Sequence, residues 1–208
     1  SALRRRLPMV LVDKDYVFEG PAGKLRLLDM FEDTSQLYIH HFMWLDARGE
    51  GCPSCTQAAT MTFTPAVRAA LKARDVTLAC ISRAPLSELE RWRTKHGWTF
   101  PWYSSNDNDF TYDFHVTLDE ARAPIAYNYR EKAELIAHGM PEHVLRGDWN
   151  ACSVFMRRGD AVYHAYSAYA RGMDTLALPY AFLDLTPYGR QEDWEDSPPG
   201  WPQRPTYG

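Results

Sequence analysis

Cys52 and Cys55 have two residues between them in Gly51-Cys52-Pro53-Ser54-Cys55, a spacing at which two thiols can close a disulfide within one helical turn. The run Gln36 to Trp44 ahead of them is rich in β-branched and aromatic residues and lacks clean alternation, as in a strand covered on both faces. Asp46 to Gly51 reads as a loop, and the residues after Cys52 have helical character. The pair therefore opens a helix directly after a strand. Free N–H groups and the helix dipole at that end favour a thiolate, which can lower a cysteine pKa from ~8.5 to roughly 3.5–7.5. Cys52 is expected to attack and Cys55 to resolve, with Pro53 and Ser54 forming the turn between them.

Other chemistry has to be weighed beside this. Cys52 and Cys55 could be half of a zinc site, but no second close pair of cysteines exists to complete it. Cys80 sits inside an apolar run and reads as a small buried hydrophobe. Cys152 starts a later strand that could run beside the pair. Arg171, in Tyr169-Ala170-Arg171-Gly172, would favour a thiolate if close to Cys52, but a surface ion pair or helix cap accounts for it more simply. The tryptophans and tyrosines of residues 98–114 could line a groove or pack a core.

The elements that must hold these residues follow from pattern. The 208 residues suffice for one domain that buries roughly 70% of its unfolded surface. With 45% apolar and 24% charged residues, whole-chain disorder and fibrous structures are excluded. Mean hydropathy of −0.45 and no long apolar run argue against a membrane span. A net charge of −4 argues against nucleic acid as a partner. Four cysteines make no disulfide scaffold, and a cytoplasmic setting is the default expectation. The sequence begins at Ser1 without a Met, which leaves room for an upstream segment.

Pro8 to Val12 reads as a strand, and Tyr16 to Phe18 with Lys24 to Leu28 as a hairpin. Thr64-Pro65 restarts or kinks the helix after Cys55. Val76 to Ile81 is a buried strand, and Pro85 opens a helix that Gly97 stops. Residues 98–118 read as an aromatic segment with loop chemistry at Ser104 to Asp109, and 119–148 as an insertion with a little helix. Ser153–Met156 and Ala161–His164 flank a tight turn at Arg157 to Asp160. A closing helix is expected over about 174–185, kinked at Pro179. Residues 1–190 form one α/β domain, and 191–208 an extended, proline-rich acidic tail.

This order resembles the thioredoxin-like fold: a central mixed sheet flanked by helices, here with an N-terminal β-hairpin extension and an insertion before the last hairpin. Ser82-Arg83-Ala84-Pro85 and Gly97-Trp98-Thr99-Phe100-Pro101-Trp102 resemble the matching stretch of peroxiredoxin-like proteins. The whole chain more closely resembles a bacterial thioredoxin-like family, domain of unknown function 899. The motifs that carry this are Asp15 through Pro21, Gly51 through Cys55, Ser82 through Pro85, Tyr166 through Gly172 and Tyr180 through Pro187.

The departures limit what the resemblance implies. Peroxiredoxins carry P-x-x-x-[TS]-x-x-C, whereas Leu45 and Gly49 precede Cys52 at those positions, and Arg48 and Cys52 precede Cys55. A typical peroxiredoxin is therefore not expected. Thioredoxins place a cis-proline where Ala151 stands in Trp149-Asn150-Ala151-Cys152. They also place a buried carboxylate beneath the second cysteine, where this strand offers His40 and His41. Adjacent strand residues face opposite ways, so only one can serve as a base there; a core histidine bonded to backbone is the alternative. Thioredoxin-fold copper proteins imply another reading: Cu(I) or Zn(II) held by Cys52, Cys55 and a histidine, from among His40, His41, His143 and His164 and chiefly His41 or His164. Their cysteines have three residues between them rather than two, and His164 reads more simply as a solvated strand residue.

The sequence thus points to a thiol–disulfide oxidoreductase without cofactor, acting on a disulfide-containing substrate or small thiol. Copper or zinc binding is the alternative, and a non-catalytic binding module, with a possible homodimer face, is the third.

Overall fold

Residues 76–82 are apolar enough to need cover on both faces, and they take the middle of the sheet. The computed structural model describes residues 6–46, 48–192 and 195–203, excepting the side chains of 143 and 144. In chain order the strands are β1 (Val10–Leu11), β2 (Val17–Gly20), β3 (Gly23–Arg26), β4 (Gln36–His41), β5 (Trp44–Leu45), β6 (Glu50–Gly51) and β7 (Val76–Ser82). They continue as β8 (Trp102–Ser104), β9 (Thr117–Leu118), β10 (Ala126–Tyr127), β11 (Arg130–Glu131), β12 (Gly147–Asp148), β13 (Ala151–Arg158) and β14 (Ala161–Tyr169). Eight of them form one mixed sheet in the order β1-β14-β13-β4-β7-β8-β2-β3.

The parallel pairs β4–β7 and β7–β8 need crossovers. Helices α1 (Pro53–Thr62) and α2 (Pro65–Lys72) supply the first, and α3 (Leu86–Lys95) the second. Helix α1 ends at Phe63, and α2 restarts where the Thr64 hydroxyl accepts the Val67 N–H at 3.3 Å. Gly97, at φ +65°, stops α3 in the left-handed region that glycine adopts freely.

Strand alternation sorts the core into two layers. Phe42, Leu78, Cys80 and Trp102 face α1–α3 and pack with Cys55, Ala59 and Leu89. Leu37, Ile39, Ala79, Ile81 and Phe155 face the other way, under Phe18, Phe31 and Phe110.

Four segments differ from the sequence-based expectation. Asp46 to Gly51 is not simply a loop, because β6 pairs back on β5. Residues 98–118 contain a sheet strand, β8, and a short helix α4 (Phe110–Asp113); their rings fill both core layers, so burial and not a groove explains them. The insertion holds the β10–β11 hairpin, α5 (Lys132–Ala137) and a small core of its own. The closing helix divides into a 3-10 turn (Ala170–Leu176) and α6 (Leu178–Leu183). Pro179 opens α6 rather than kinking it, since a first-turn proline gives up no helical bond.

The start of the tail is tied down. Glu192 is buried and its carboxylate meets Arg171 at 2.6 Å. No helix among the described residues is long and apolar enough to cross a membrane.

Candidate active site

Cys52 is the N-cap of α1 with Pro53 at the first helical position, so the dithiol stands where the sheet's parallel strands end. The main chain of Met43, just past β4, grips both cysteines. Its carbonyl accepts the Cys52 N–H at 3.0 Å, and its N–H donates to the Cys55 sulfur. Gly51 admits no side chain: a Cβ there would lie 2.8 Å from both the Phe42 ring and the Trp92 indole nitrogen.

The two thiols differ sharply. Cys52 is partly exposed and Cys55 is buried, both as free thiols. The Cys55 thiol donating to the Cys52 sulfur pulls Cys52 down to about 6, against the opposing effect of burial; the N–H groups of Cys55 and Ser54 and the Ser54 hydroxyl add to it. Its hydrogen bond to Cys52, burial and the Cys52 charge push Cys55 well above an ordinary thiol. Pro53 and Ser54 thus act through helix geometry and hydrogen bonding.

His40 and His41 face opposite ways, as alternation requires. His40 faces the α1 layer, its ring 5.0 Å from Phe63 and 6.2 Å from Phe42, and neither ring nitrogen has a hydrogen-bond partner among the described residues. It is not the backbone-bonded core histidine that the sequence allowed. Burial lowers it to about 4, so the ring is neutral near pH 7. His41 lies in the other layer, stacked on Phe110, with Nε2 2.9 Å from Ser153 Oγ. A hydroxyl chain continues from Ser153 to Ser167 at 2.9 Å and from Ser167 to His164 Nε2 at 2.8 Å. His164 is half-buried between Phe114 and Phe155, not solvated, because it shares the inward face of β14 with Val162, two residues before it.

The proposed metal set of Cys52, Cys55, His41 and His164 is therefore not brought together: the sheet separates the thiols from both imidazoles. The side chain of His143 lies outside the described residues. Among the described residues no three His, Cys, Asp or Glu side chains converge as a metal would require.

Cys152 stands opposite His40 of β4 and so on the dithiol side of the sheet, where its packing partners are Ala168, Met173 and Tyr38, whose hydroxyl donates to its sulfur. Cys80 is fully buried in the α1 layer, near enough to Cys55 to raise it. Arg171 is directed to Glu192 and to Asp174, at 2.6 and 3.2 Å, and not to Cys52, whose shift arises from Cys55 and Ser54.

Sequence reading missed two parts. The Met43 main chain has no side-chain signature. A second titratable cluster joins Asp46, Arg83 and Asp148, from the β5–β6 turn, the end of β7 and β12. Burial raises Asp148 to about 6 despite the Thr117 hydroxyl and Arg83, which lies 4.0 Å away. Only Arg83, in the Ser82–Pro85 motif, was visible beforehand.

This geometry agrees with the comparisons. The bacterial family of unknown function DUF899 matches residues 1–207. Among solved structures, peroxidoxin BcpB of Mycobacterium tuberculosis superposes with a TM-score of 0.53 at 11% identity, covering 83% of this chain and 93% of its own. The Xanthomonas campestris bacterioferritin comigratory protein gives 0.51 at 12% identity, covering 80% and 90%. A cysteine variant of Xylella fastidiosa PrxQ gives 0.51 at 12% identity, covering 85% and 95%. At such identities the likeness establishes the thioredoxin-like fold alone. No curated protein matches the chain. The chain belongs to the DUF899 family.

Proposed function

We propose that this DUF899 protein is a dithiol oxidoreductase that reduces disulfides, with Cys52 attacking and Cys55 resolving. The observation that supports it most is the asymmetry of the pair: a partly exposed Cys52 lowered to about 6 beside a buried Cys55 held protonated. Near pH 7 that arrangement offers one thiolate to a partner and keeps the second thiol in reserve.

In the first step the Cys52 sulfur attacks a substrate disulfide. The substrate S–S bond breaks, and its departing sulfur takes a proton from water. In the second, Cys55 loses its proton and attacks the Cys52 sulfur, forming the internal disulfide and releasing the other substrate sulfur. Two electrons pass to the substrate, and a reducing thiol must restore the pair. The proton of Cys55 passes to the departing substrate sulfur, which leaves as a thiol.

A disulfide is preferred to a hydroperoxide as the oxidant because the proline and threonine of the peroxidatic motif are replaced by Leu45 and Gly49. Glutathione disulfide and hydrogen peroxide, each followed by intact mass, test the whole reading. Cys55→Ser should accumulate a glutathione adduct and Cys52→Ser should not react. The wild type should pass to an internal disulfide within roughly −120 to −270 mV. A Cys52→Ser protein that reacts like wild type overturns the proposal, as do thiols that stay reduced throughout. Faster oxidation by peroxide than by disulfide would replace the oxidant.

A further inference from the structure

We propose that the outer face of α6 and the residues after it form a docking surface for a cationic, apolar segment of a partner protein. Helix α6 is Leu-Pro-Tyr-Ala-Phe-Leu, and not one of its residues is buried. Leu178 and Phe182, an i, i+4 pair on α6, and Leu185, in the turn just past its end, are 46%, 71% and 85% exposed. An apolar stripe of this kind on a folded surface marks an interaction site.

Charge decides what covers it. Residues 171–203 hold six of the chain's 27 acids and only two of its 23 lysines and arginines, so this segment alone carries the net charge of −4. Arg171 and Arg190 are each shared between two of those acids. A second copy docked across a two-fold axis would set this acidic excess against itself. An anionic lipid surface would meet the same repulsion. A basic polypeptide with apolar side chains on one face satisfies both the stripe and its acidic surroundings.

The surface adjoins the dithiol helix at its far end: α6 packs on α1, and the Thr62 hydroxyl, ten residues beyond Cys52 and so about 15 Å along the helix, donates to the Leu176 carbonyl at 3.5 Å. Resting on the dithiol reading above, the partner is the disulfide-bearing substrate itself, which makes that substrate a protein rather than a small thiol.

The first experiment does not depend on redox chemistry. Melittin, a basic amphipathic peptide without cysteine, is titrated calorimetrically into wild type and Phe182→Ser/Leu185→Ser, beside an acidic peptide of the same apolar pattern. Wild type should prefer melittin, and the double variant should bind it on the order of tenfold more weakly, the scale of a truncated hot spot. Both substituted positions are exposed, so an unchanged melting curve is expected for the variant. No binding, equal binding of the acidic peptide, or equal binding by the variant overturns the proposal. So does a wild-type dimer that the variant converts to monomer.

The second experiment compares reduction of scrambled ribonuclease A with reduction of glutathione disulfide. The variant should slow only the former; slowing of both equally, or of neither, removes the surface from substrate binding. Failure of wild type with glutathione disulfide removes the dithiol reading and leaves the peptide result standing.

Discussion

Cys52 owes its character to two neighbours within one helical turn, Cys55 and Ser54, so its thiolate should appear as pH rises through one midpoint. The rate of alkylation by iodoacetamide is expected to rise with pH through a midpoint near 6 and then level off, because the thiolate exists above that pH. Ser54→Ala removes one donor and should move the midpoint upward. A midpoint at or above 8 in wild type would contradict the geometry. His40 invites a prediction about stability. A buried imidazole with both nitrogens unpaired costs roughly 1–3 kcal/mol, so His40→Phe should hold or raise stability. The same change should leave collapse of the mixed disulfide unaltered, because a ring lowered to about 4 is a poor acceptor for the proton of a thiol held above the ordinary range. A variant with a much slower resolving step would restore the base role that the sequence allowed.

Asp148 gives the residue scale its clearest pH dependence. Its folded pKa of about 6 lies above the ordinary carboxylate value, so its protonated form favours folding. That stability is present below about pH 4 and is lost as pH rises through 6. Asp148→Asn keeps an acceptor for the Thr117 hydroxyl and should be the more stable protein at pH 7.5, by on the order of 2 kcal/mol. The two proteins should converge by pH 4, and urea midpoints at both pH values decide it.

At the scale of elements, the β5–β6 hairpin and α1 hold the dithiol between a glycine and a main chain. Gly51→Ala would push a methyl group into Phe42 and Trp92, with an overpacking cost of about 1–3 kcal/mol. The strain falls next to Cys52, so the dithiol potential should shift along with the melting temperature; a potential that stays put would uncouple the hairpin from the site. The elements most legible in sequence were those with local signals. The strand β7, the Thr64 cap, the Gly97 stop and the β13–β14 hairpin each follow from a few adjacent residues. Strand β8 escaped notice because three residues carry no period, and its neighbours Cys80 and Ser82 come from another part of the chain.

For the whole molecule, the C-terminal segment is held by Arg171 and Glu192, a half-buried pair that ties the tail to the 3-10 turn ahead of α6. Breaking such a pair leaves the other charge poorly solvated, so Arg171→Ala should destabilise by roughly 3 kcal/mol. It should leave the alkylation midpoint of Cys52 unchanged, which separates this role from thiolate activation. An altered midpoint would restore the electrostatic role that the sequence allowed.

The sequence by itself determined the thioredoxin-like order of elements and the dithiol at a helix start, because turn chemistry, hydrophobic period and the C-x-x-C spacing are local properties of the chain. It also limited His40 and His41 to opposite faces through strand alternation alone. Which histidine lies on the dithiol side, where Cys152 points and what Arg171 pairs with were decided only by the tertiary structure. The first two depend on the register of β4 against β13, whose paired residues lie more than 100 positions apart, and the third on the tail folding back over the 3-10 turn. No local pattern encodes such pairings, since they exist only once the sheet has closed.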